Sequence, residues 1–244
     1  MSPSTQIFEV SFILLFATIF RTAFGFGEAL VAVPLLALII PVQVAAPVAV
    51  LISILVAGFV VIRDWKHIHL ASAAKLIIST FFGIPLGLLL LKFGSEVLVK
   101  SLLAFVLFTF ALYSLLRPRK VSLHDDRYAW LFGFLAGVCG GSYGVNGPPL
   151  AIYGSLRGWE PEKFRATLQG YFLPASFVGM CGYYFAGLWT REVNVLFVYS
   201  LPAVALGILF GRLVSRHLHP QRFTRVVNFG LIVIAFILLA QVLR

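Results

Sequence analysis

Long uncharged apolar runs constrain this chain more than any other feature of its sequence. Residues 42–62 form 21 consecutive residues without a charged side chain, which is about the length of an α-helix that crosses a bilayer. The chain is 60% hydrophobic and 11% charged, so it lacks the polar surface that a soluble domain requires. Strands of a membrane barrel would give short alternating segments instead. The sequence therefore predicts an all-α polytopic integral membrane protein.

Apolar runs and polar connections follow the same order in two halves of the chain. The runs lie at residues 7–40 (interrupted), 42–62, 70–91 and 97–116, and then at 128–155 (interrupted), 166–188, 193–211 and 226–243. We predict a first transmembrane repeat at residues 1–117, a polar linker at 118–127 and a second repeat at 128–244. The two repeats, with about four helical segments each, would form a single integrated membrane domain.

The interrupted run of each half contains a similar break. Residues 25–36 align with residues 140–151 at a constant offset of 115, glycine leads each copy, and a Pro-Leu pair closes it. Glycine and proline interrupt helices, and the released backbone groups need partners within the protein or in a water-filled cavity. Matched breaks in the two halves of a membrane protein are typical of a transport site.

A second match supports an internal duplication. Gly83 and Gly87 align with Gly207 and Gly211 at an offset of 124, and each pair precedes a short polar turn and a final apolar run. Glycines four residues apart also recur by chance in membrane helices as a packing face. Together with the longer match, the spacing favours duplication.

The lengths and charges of the segments predict how each broken region meets the membrane. One straight helix over residues 7–40 would be about 50 Å long, whereas two full spans need about 40 residues. If each broken region crosses once, the two sides carry 8 and 9 Lys and Arg residues, with Arg21 and Lys75 left out as intramembrane. If each is re-entrant, they carry 4 and 13. The positive-inside rule favours the re-entrant arrangement. Three crossings in each half then make the halves inverted repeats, with both termini outside.

The net charge of +10 does not indicate nucleic-acid binding. Lys and Arg lie in short connections between apolar runs, where an anionic cytoplasmic leaflet accounts for them. Cys139 and Cys181 are too few for a disulfide framework or a metal site, and no cofactor is expected. The sequence also lacks an ATP-binding loop of the G-x-x-x-x-G-K-[ST] type, which makes pumping by this chain alone a poor interpretation.

An enzyme interpretation starts from residues 140–144, which fit the G-x-S-x-G pattern of a nucleophilic serine. Such a serine needs a base, and all five histidines fall in connecting loops with no buried Asp to orient them. We therefore expect no enzymatic activity at Ser142.

The two breaks have the chemistry of an anion site. A broken helix places an N-terminus near the membrane midplane, where unpaired N–H groups and the positive end of the dipole attract an anion. Asn146 is a candidate cap with Pro148 at the first helical position, while Ser142 and Tyr143 would add hydroxyl donors. The alternative is that the glycines only permit tight helix packing. The predicted substrate-binding residues are Arg21, Gly25, Gly27, Gly140, Gly141, Ser142, Tyr143, Gly144, Asn146 and Gly147, and the predicted helix-breaking residues are Pro34, Pro148 and Pro149.

Two charged residues accompany the first break. Arg21 lies one turn before it and is expected either to bind an anion or to pair with Glu28. A carboxylate beside an anion site would repel the substrate unless Arg21 neutralises it, which makes Glu28 the candidate for proton coupling. For Lys75 and Arg165, near helix starts, snorkelling to the membrane interface is the simpler interpretation.

The paired glycine breaks resemble those of the TauE/SafE family of sulfite and organosulfonate exporters, and the resemblance covers essentially the whole chain. The matching residues are Gly25, Gly27, Pro34 and Leu35 in the first half, and Gly140, Gly144, Pro149 and Leu150 in the second. Residues 146–149 resemble a Gly-Pro-Pro variant of the second motif. Arg165 and Thr167 fall where many members carry Arg-x-Thr, which makes them candidate anion contacts. The sequence departs from the usual glycine run at Glu28, Ala29, Ser142 and Tyr143.

The resemblance implies a multi-pass protein of the bacterial inner membrane that exports a small oxyanion such as sulfite or an organosulfonate. Its expected partners are the anionic substrate, the lipid bilayer and a coupling proton, with no nucleic acid. Two alternatives stay open: a membrane sensor or scaffold that does not transport, and a cation carrier that uses Glu28.

Overall fold

The protein is helical throughout the residues that its computed structural model describes, which are 3–24, 27–64, 70–116, 123, 125–217 and 220–242. The helices of the first half are α1 (Pro3–Phe24), α2 (Glu28–Leu36), α3 (Val42–Asp64), α4 (Leu70–Phe93) and α5 (Glu96–Leu116). Those of the second half are α6 (Ala129–Tyr143), α7 (Gly147–Leu156), α8 (Pro161–Phe185), α9 (Arg191–His217) and α10 (Pro220–Val242). Each predicted apolar run corresponds to one helix or, at each break, to a pair, so the all-α prediction is confirmed.

Within the described part of the chain, four helices are long and apolar enough to cross a membrane. The candidate spans are Ser4–Thr22, Ala74–Phe93, Glu96–Leu116 and Arg191–Leu213, with shorter apolar stretches at Val42–Gly58, Ala129–Tyr143 and Asn228–Gln241. Large apolar side chains are exposed on their outer faces; Phe8 is 72% exposed and Phe82 is 70% exposed. Hydrocarbon accommodates such a surface, whereas water does not. The prediction of a multi-pass membrane protein is confirmed.

Both breaks lie where glycine was predicted to interrupt the helix. Gly27, directly before α2, has a φ of 93°, and Gly144, directly after α6, has a φ of 68°. These are left-handed conformations that glycine adopts without steric cost. A Cβ atom at Gly27 would also lie 2.5 Å from the Phe20 ring. Gly25, which was predicted to lead the first break, lies outside the described residues.

The two breaks differ in length and register. Helix α1 has 22 residues, about 33 Å if straight, whereas α6 has 15, about 22 Å. The offset of 115 aligns Pro34 with Pro149, but Pro34 is the seventh residue of α2 and Pro149 is the third of α7. Pro34 therefore lies inside a short helix that continues to Leu36. The proline removes one backbone hydrogen bond but does not end the helix at its own position.

Two pairs of helices from opposite halves run parallel. Glycines 133, 137 and 141 of α6 lie against Leu76, Thr80 and Ile84 of α4, in that order. Gly207 of α9 lies against Leu15 and Thr18 of α1, and Gly211 lies against Ile19 and Thr22. Residue numbers rise together in both pairs, so each pair is parallel. We call these contacts the α4–α6 interface and the α1–α9 interface.

Two other pairs run antiparallel. Ser53 of α3 accepts a 3.4 Å hydrogen bond from Ser176 of α8, and Gly58 of α3 faces Leu173 of α8. Along this contact the residue numbers of α3 rise while those of α8 fall, so the two helices are antiparallel. In the second pair, Ser114 of α5 accepts a hydrogen bond from Asn228 of α10, and Phe108 stacks edge-on against Phe236. Helices α5 and α10 are antiparallel by the same argument.

Candidate functional site

The two helix breaks meet around one small cavity inside the helical bundle. Residues 27–30 line it from the first break and residues 144–147 from the second. Arg21 of α1, Ser53 of α3 and Phe172 of α8 complete the wall. The cavity contains about 310 Å³ of empty space, including the part that opens outward. Helices α2 and α7 therefore both begin at the same small space.

Backbone N–H groups at the start of α2 are available to this space. The first helical hydrogen bond joins the Val31 N–H group to the Gly27 carbonyl at 3.1 Å, so the N–H groups of residues 28–30 precede it. No side chain caps this end of the helix. The positive end of the helix dipole lies here as well, which makes the start of α2 favourable for a negative group.

The start of α7 differs because prolines occupy its first turn. Gly147 is its first residue, and Pro148 and Pro149 follow without N–H groups. Pro148 is thus the second helical residue and not the first, as predicted. Asn146 lies at the N-cap position but makes no capping hydrogen bond. A capping side chain binds the N–H of the second or third helical residue, and here both are prolines.

The Asn146 amide instead lies against Gly140 of α6. A Cβ atom at Gly140 would lie 2.5 Å from Asn146 Nδ2, so this glycine makes room for the amide. Behind the cavity wall, the Tyr171 hydroxyl oxygen lies 2.6 Å from Thr80 Oγ1. Thr80 also donates to the Gly133 carbonyl at 2.8 Å. The polar Asn146 amide therefore lies at the cavity wall in the space that Gly140 leaves for it.

A buried ion pair forms the opposite wall. Arg21 Nη1 lies 2.6 Å from Glu28 Oε2, and the two side chains are only 3% and 1% exposed. The same nitrogen donates to Ser53 Oγ at 2.8 Å, and Thr18 Oγ1 donates to Glu28 Oε1 at 3.1 Å. The Arg21 guanidinium carbon lies 5.6 Å from the centre of the Phe172 ring. Of the two roles predicted for Arg21, the structure shows the pair with Glu28, which offsets the cost of burying both charges.

Several predicted site residues contact other parts of the protein instead. Gly141 faces the Ile84 carbonyl of α4. The Ser142 hydroxyl donates to the Val138 carbonyl at 2.7 Å, and the Tyr143 hydroxyl donates to the Val99 carbonyl at 3.0 Å. Neither hydroxyl is therefore directed to the cavity. Thr167 is fully buried in α8 and is not part of the cavity wall.

Arg165 belongs to the same helix as Thr167, and its side chain lies outside the described part of the structure. In the described ranges, no three His, Cys, Asp or Glu side chains lie close enough together to hold a metal ion.

The sequence interpretation missed Ser53 and Phe172 of the cavity wall, and Tyr171 behind it. Ser53 is one of few polar residues in residues 42–62, a signal that would have been sufficient to consider it. Phe172 is one of 24 phenylalanines and nothing in the sequence distinguishes it. Both join the site only because α3 and α8 pack on the breaks.

The fold and the site together define a multi-pass membrane protein in which two broken helices surround a polar cavity. The sequence model of the sulfite exporter TauE/SafE family matches residues 10–238. The chain belongs to this family of membrane exporters, and the predicted family is confirmed.

A curated relative gives the same result. The probable sulfite/organosulfonate exporter TauE of Cupriavidus necator is 25% identical over 222 residues, which cover 88% of this chain and 86% of that protein. No solved structure matches the chain.

Proposed function

We propose that the protein is a secondary transporter that exports a small oxyanion, such as sulfite or an organosulfonate, and that the anion binds between the two helix breaks. Membership of the exporter family supports the class of substrate, and the name of the Cupriavidus relative supports the choice of sulfite or sulfonate. The observation that carries the proposal is the shared cavity, which residues of both breaks and Arg21 line together.

The donors around the cavity suit an oxyanion. The start of α2 offers backbone N–H groups, Gly147 offers another, and the Asn146 amide adds side-chain donors. Arg21 contributes a positive charge and the geometry for paired hydrogen bonds to two oxygens. A sulfite or sulfonate group has three oxygens that accept such bonds. A cation carrier is less favoured, because Glu28 is the one carboxylate among the described lining residues and already pairs with Arg21.

We also propose that residues 1–117 and 128–244 are inverted repeats. In the proposed repeat, α1, α3, α4 and α5 correspond to α6, α8, α9 and α10. When the two halves are exchanged, the α4–α6 interface and the α1–α9 interface therefore exchange places. The pairs α3–α8 and α5–α10 stay the same. Both unchanged pairs are antiparallel, as inversion requires. Helices α8 and α9 are joined by the short turn at residues 186–190, so α9 runs with α3. Helix α1 is parallel to α9, which supports a first break that enters and leaves on one side.

Glu28 is proposed to carry the coupling proton. Its carboxylate lies at the cavity wall between Arg21 and Thr18, so a proton gained or lost there changes the charge that the anion meets. Transport by Glu28→Gln should lose its dependence on a pH gradient. Flux through this variant that keeps the full pH dependence of the wild type would remove the role.

Flux into proteoliposomes tests the transport proposal. Sulfite, thiosulfate and sulfoacetate are offered with and without a pH gradient, next to a metal-cation control. The wild type should carry at least one of the anions and not the cation. Arg21→Gln should lower anion flux by at least about tenfold, since a hydrogen bond to a charged group contributes about 1.5–3 kcal/mol. Arg127→Gln is the matched control, because Arg127 is 88% exposed in the linker.

The outcomes separate the alternatives. No anion flux from a folded, reconstituted protein would favour the sensor or scaffold interpretation, and cation flux that requires Glu28 would favour a cation carrier. A reporter fused after Arg244 tests the topology independently. It should lie outside the cytoplasm, and a cytoplasmic reporter would contradict the inverted arrangement.

A further inference from the structure

The cavity wall already contains an oxyanion that belongs to the protein. The Glu28 carboxylate accepts from Arg21 through one oxygen and from Thr18 through the other, at 2.6 and 3.1 Å. It is also the first residue of α2, where the dipole of that helix favours negative charge. A guanidinium, a hydroxyl and a helix N-terminus are the same donors that a sulfite or sulfonate group would use.

We infer that Glu28 is a tethered competitor of the transported anion, whose carboxylate occupies Arg21 and Thr18 until the oxygens of the substrate replace it. The inference rests on the proposed function, because it concerns the same cavity and the same substrate class. It explains how Glu28 neutralises the buried charge of Arg21 while no substrate is bound. It also predicts that Glu28 weakens binding of the transported anion.

The charges around the cavity require such a replacement. Among the described lining residues the only ionisable side chains are Arg21 and Glu28, so the site is neutral when it is empty. Thr18 of α1 hydrogen-bonds Glu28, Ser53 of α3 hydrogen-bonds Arg21, and the Asn146 amide lines the same cavity; none of these groups carries a charge. A second anion beside an intact ion pair would share one cation with a carboxylate. Repulsion over that distance is much stronger in a buried site than in water.

The local geometry lets the substrate reach the partners of the carboxylate. Glu28 follows Gly27, whose φ is 93°, and it begins a helix of only nine residues. Arg21 and Glu28 both border the cavity, so an anion that enters it lies beside the guanidinium. The Ser53 hydroxyl, 2.8 Å from Arg21 Nη1, keeps one partner for the guanidinium during the exchange. Arg21 is therefore not left without a hydrogen bond when Glu28 leaves.

The competition sets the expected size of the effect. The apparent affinity of a ligand falls by the fraction of protein that is competent to bind it. Minor conformations of proteins are commonly populated at about 0.1–10%. Removing the competitor should therefore raise the affinity for the anion by about tenfold to a thousandfold. A residue with a purely structural role would have the opposite effect, because its loss would disorder the site.

Binding of sodium sulfite and of sulfoacetate to the purified full-length chain in detergent tests the inference by calorimetry. Glu28→Gln keeps the size and the acceptor oxygen of the side chain and removes its charge, so we expect a dissociation constant at least about tenfold below that of the wild type. Glu96→Gln is the matched control, because Glu96 pairs with Lys100 at 2.7 Å on the exposed start of α5. It should bind like the wild type.

A second variant keeps the test decisive if Glu28→Gln fails to fold. Glu28→Ala removes the carboxylate and leaves Arg21 and Thr18, the donors that the substrate would use, in place, so it should also tighten binding. Equal or weaker binding by the folded variants, in a protein whose wild type binds or transports the anion, overturns the competition and leaves the proposed function intact. If neither the wild type nor the variants bind or carry any of the anions, the proposed function fails and this inference fails with it.

Discussion

The α4–α6 interface and the α1–α9 interface are counterparts in the proposed repeat, yet their glycines pack against different kinds of atoms. In the α4–α6 interface, glycines on both helices face backbone; a Cβ atom at Gly87 would meet the Val138 carbonyl, and one at Gly137 would meet the Thr80 carbonyl. In the α1–α9 interface, only α9 contributes glycine. Cβ atoms at Gly207 and Gly211 would lie 2.9 Å and 2.6 Å from the Cβ atoms of Thr18 and Thr22.

The difference concerns how closely the two walls of the cavity are packed. Helices α4 and α6 meet backbone to backbone through glycines on both helices, whereas the nearest approaches in the α1–α9 interface are the 2.9 Å and 2.6 Å contacts with threonine, so the α4–α6 interface is the more closely packed. Helix α6 of this closer interface contains Gly140, which accommodates the Asn146 amide. Helix α1 of the looser interface carries Thr18 and Arg21, which hold Glu28. The wall that must release its carboxylate thus belongs to the less closely packed interface.

Alanine in place of one glycine from each interface should give the largest difference in stability. Gly87→Ala places a methyl group against the backbone of α6, including the Ser142 nitrogen at 2.7 Å, and should destabilise the protein by about 3 kcal/mol or more. Gly211→Ala would place its Cβ atom 2.6 Å from the Thr22 Cβ atom and 2.9 Å from the Ile19 carbonyl oxygen, which is a less severe contact, and should cost about 1–2 kcal/mol. Thermal unfolding of both variants in one detergent measures the difference. Equal losses would mean that the two interfaces are equally closely packed.

The two interfaces also differ in how their threonine hydroxyl groups are hydrogen-bonded. Thr80 of α4 donates to the Gly133 carbonyl at 2.8 Å and contacts the Tyr171 hydroxyl at 2.6 Å. Thr80→Val leaves buried partners unsatisfied and should destabilise the protein by about 1–3 kcal/mol. Thr80→Ser keeps the hydroxyl and should retain most of the stability. If serine and valine are equally destabilising, packing of the methyl group is responsible, not the hydrogen bonds.

Local signals made the class of protein and the positions of the breaks predictable. Runs of apolar residues define the helices by length alone, and glycine at positions 27 and 144 interrupts them through its own backbone preference. The direction of side chains beside a break was not predictable, because neighbouring helices determine it. The Tyr143 hydroxyl binds Val99 of α5, 44 residues away in sequence.

The sequence also did not predict where each short helix begins relative to its proline, for the same reason. The alignment of Pro34 with Pro149 is correct as a sequence match, yet α2 begins six residues before its proline and α7 only two. Where a helix starts depends on which backbone groups find partners in the folded bundle. The pairing of Arg21 with Glu28 was among the predicted alternatives, because a buried charge restricts its own options. The contribution of Ser53, which lies on a separate helix, was not predicted.

The smallest expected change in stability is at Thr22 of the α1–α9 interface, and it should have the opposite sign to the change at Thr80. Its Oγ1 atom is buried and has no hydrogen-bond partner in the part of the chain that the structure describes. A buried hydroxyl without a partner costs free energy that a methyl group of the same shape does not. Thr22→Val should therefore leave the free energy of unfolding unchanged or raise it by up to about 1 kcal/mol, whereas the same substitution at Thr80 lowers it. A loss at Thr22 as large as at Thr80 would mean that its hydroxyl is used, and the α1–α9 interface would then be as specifically bonded as its counterpart.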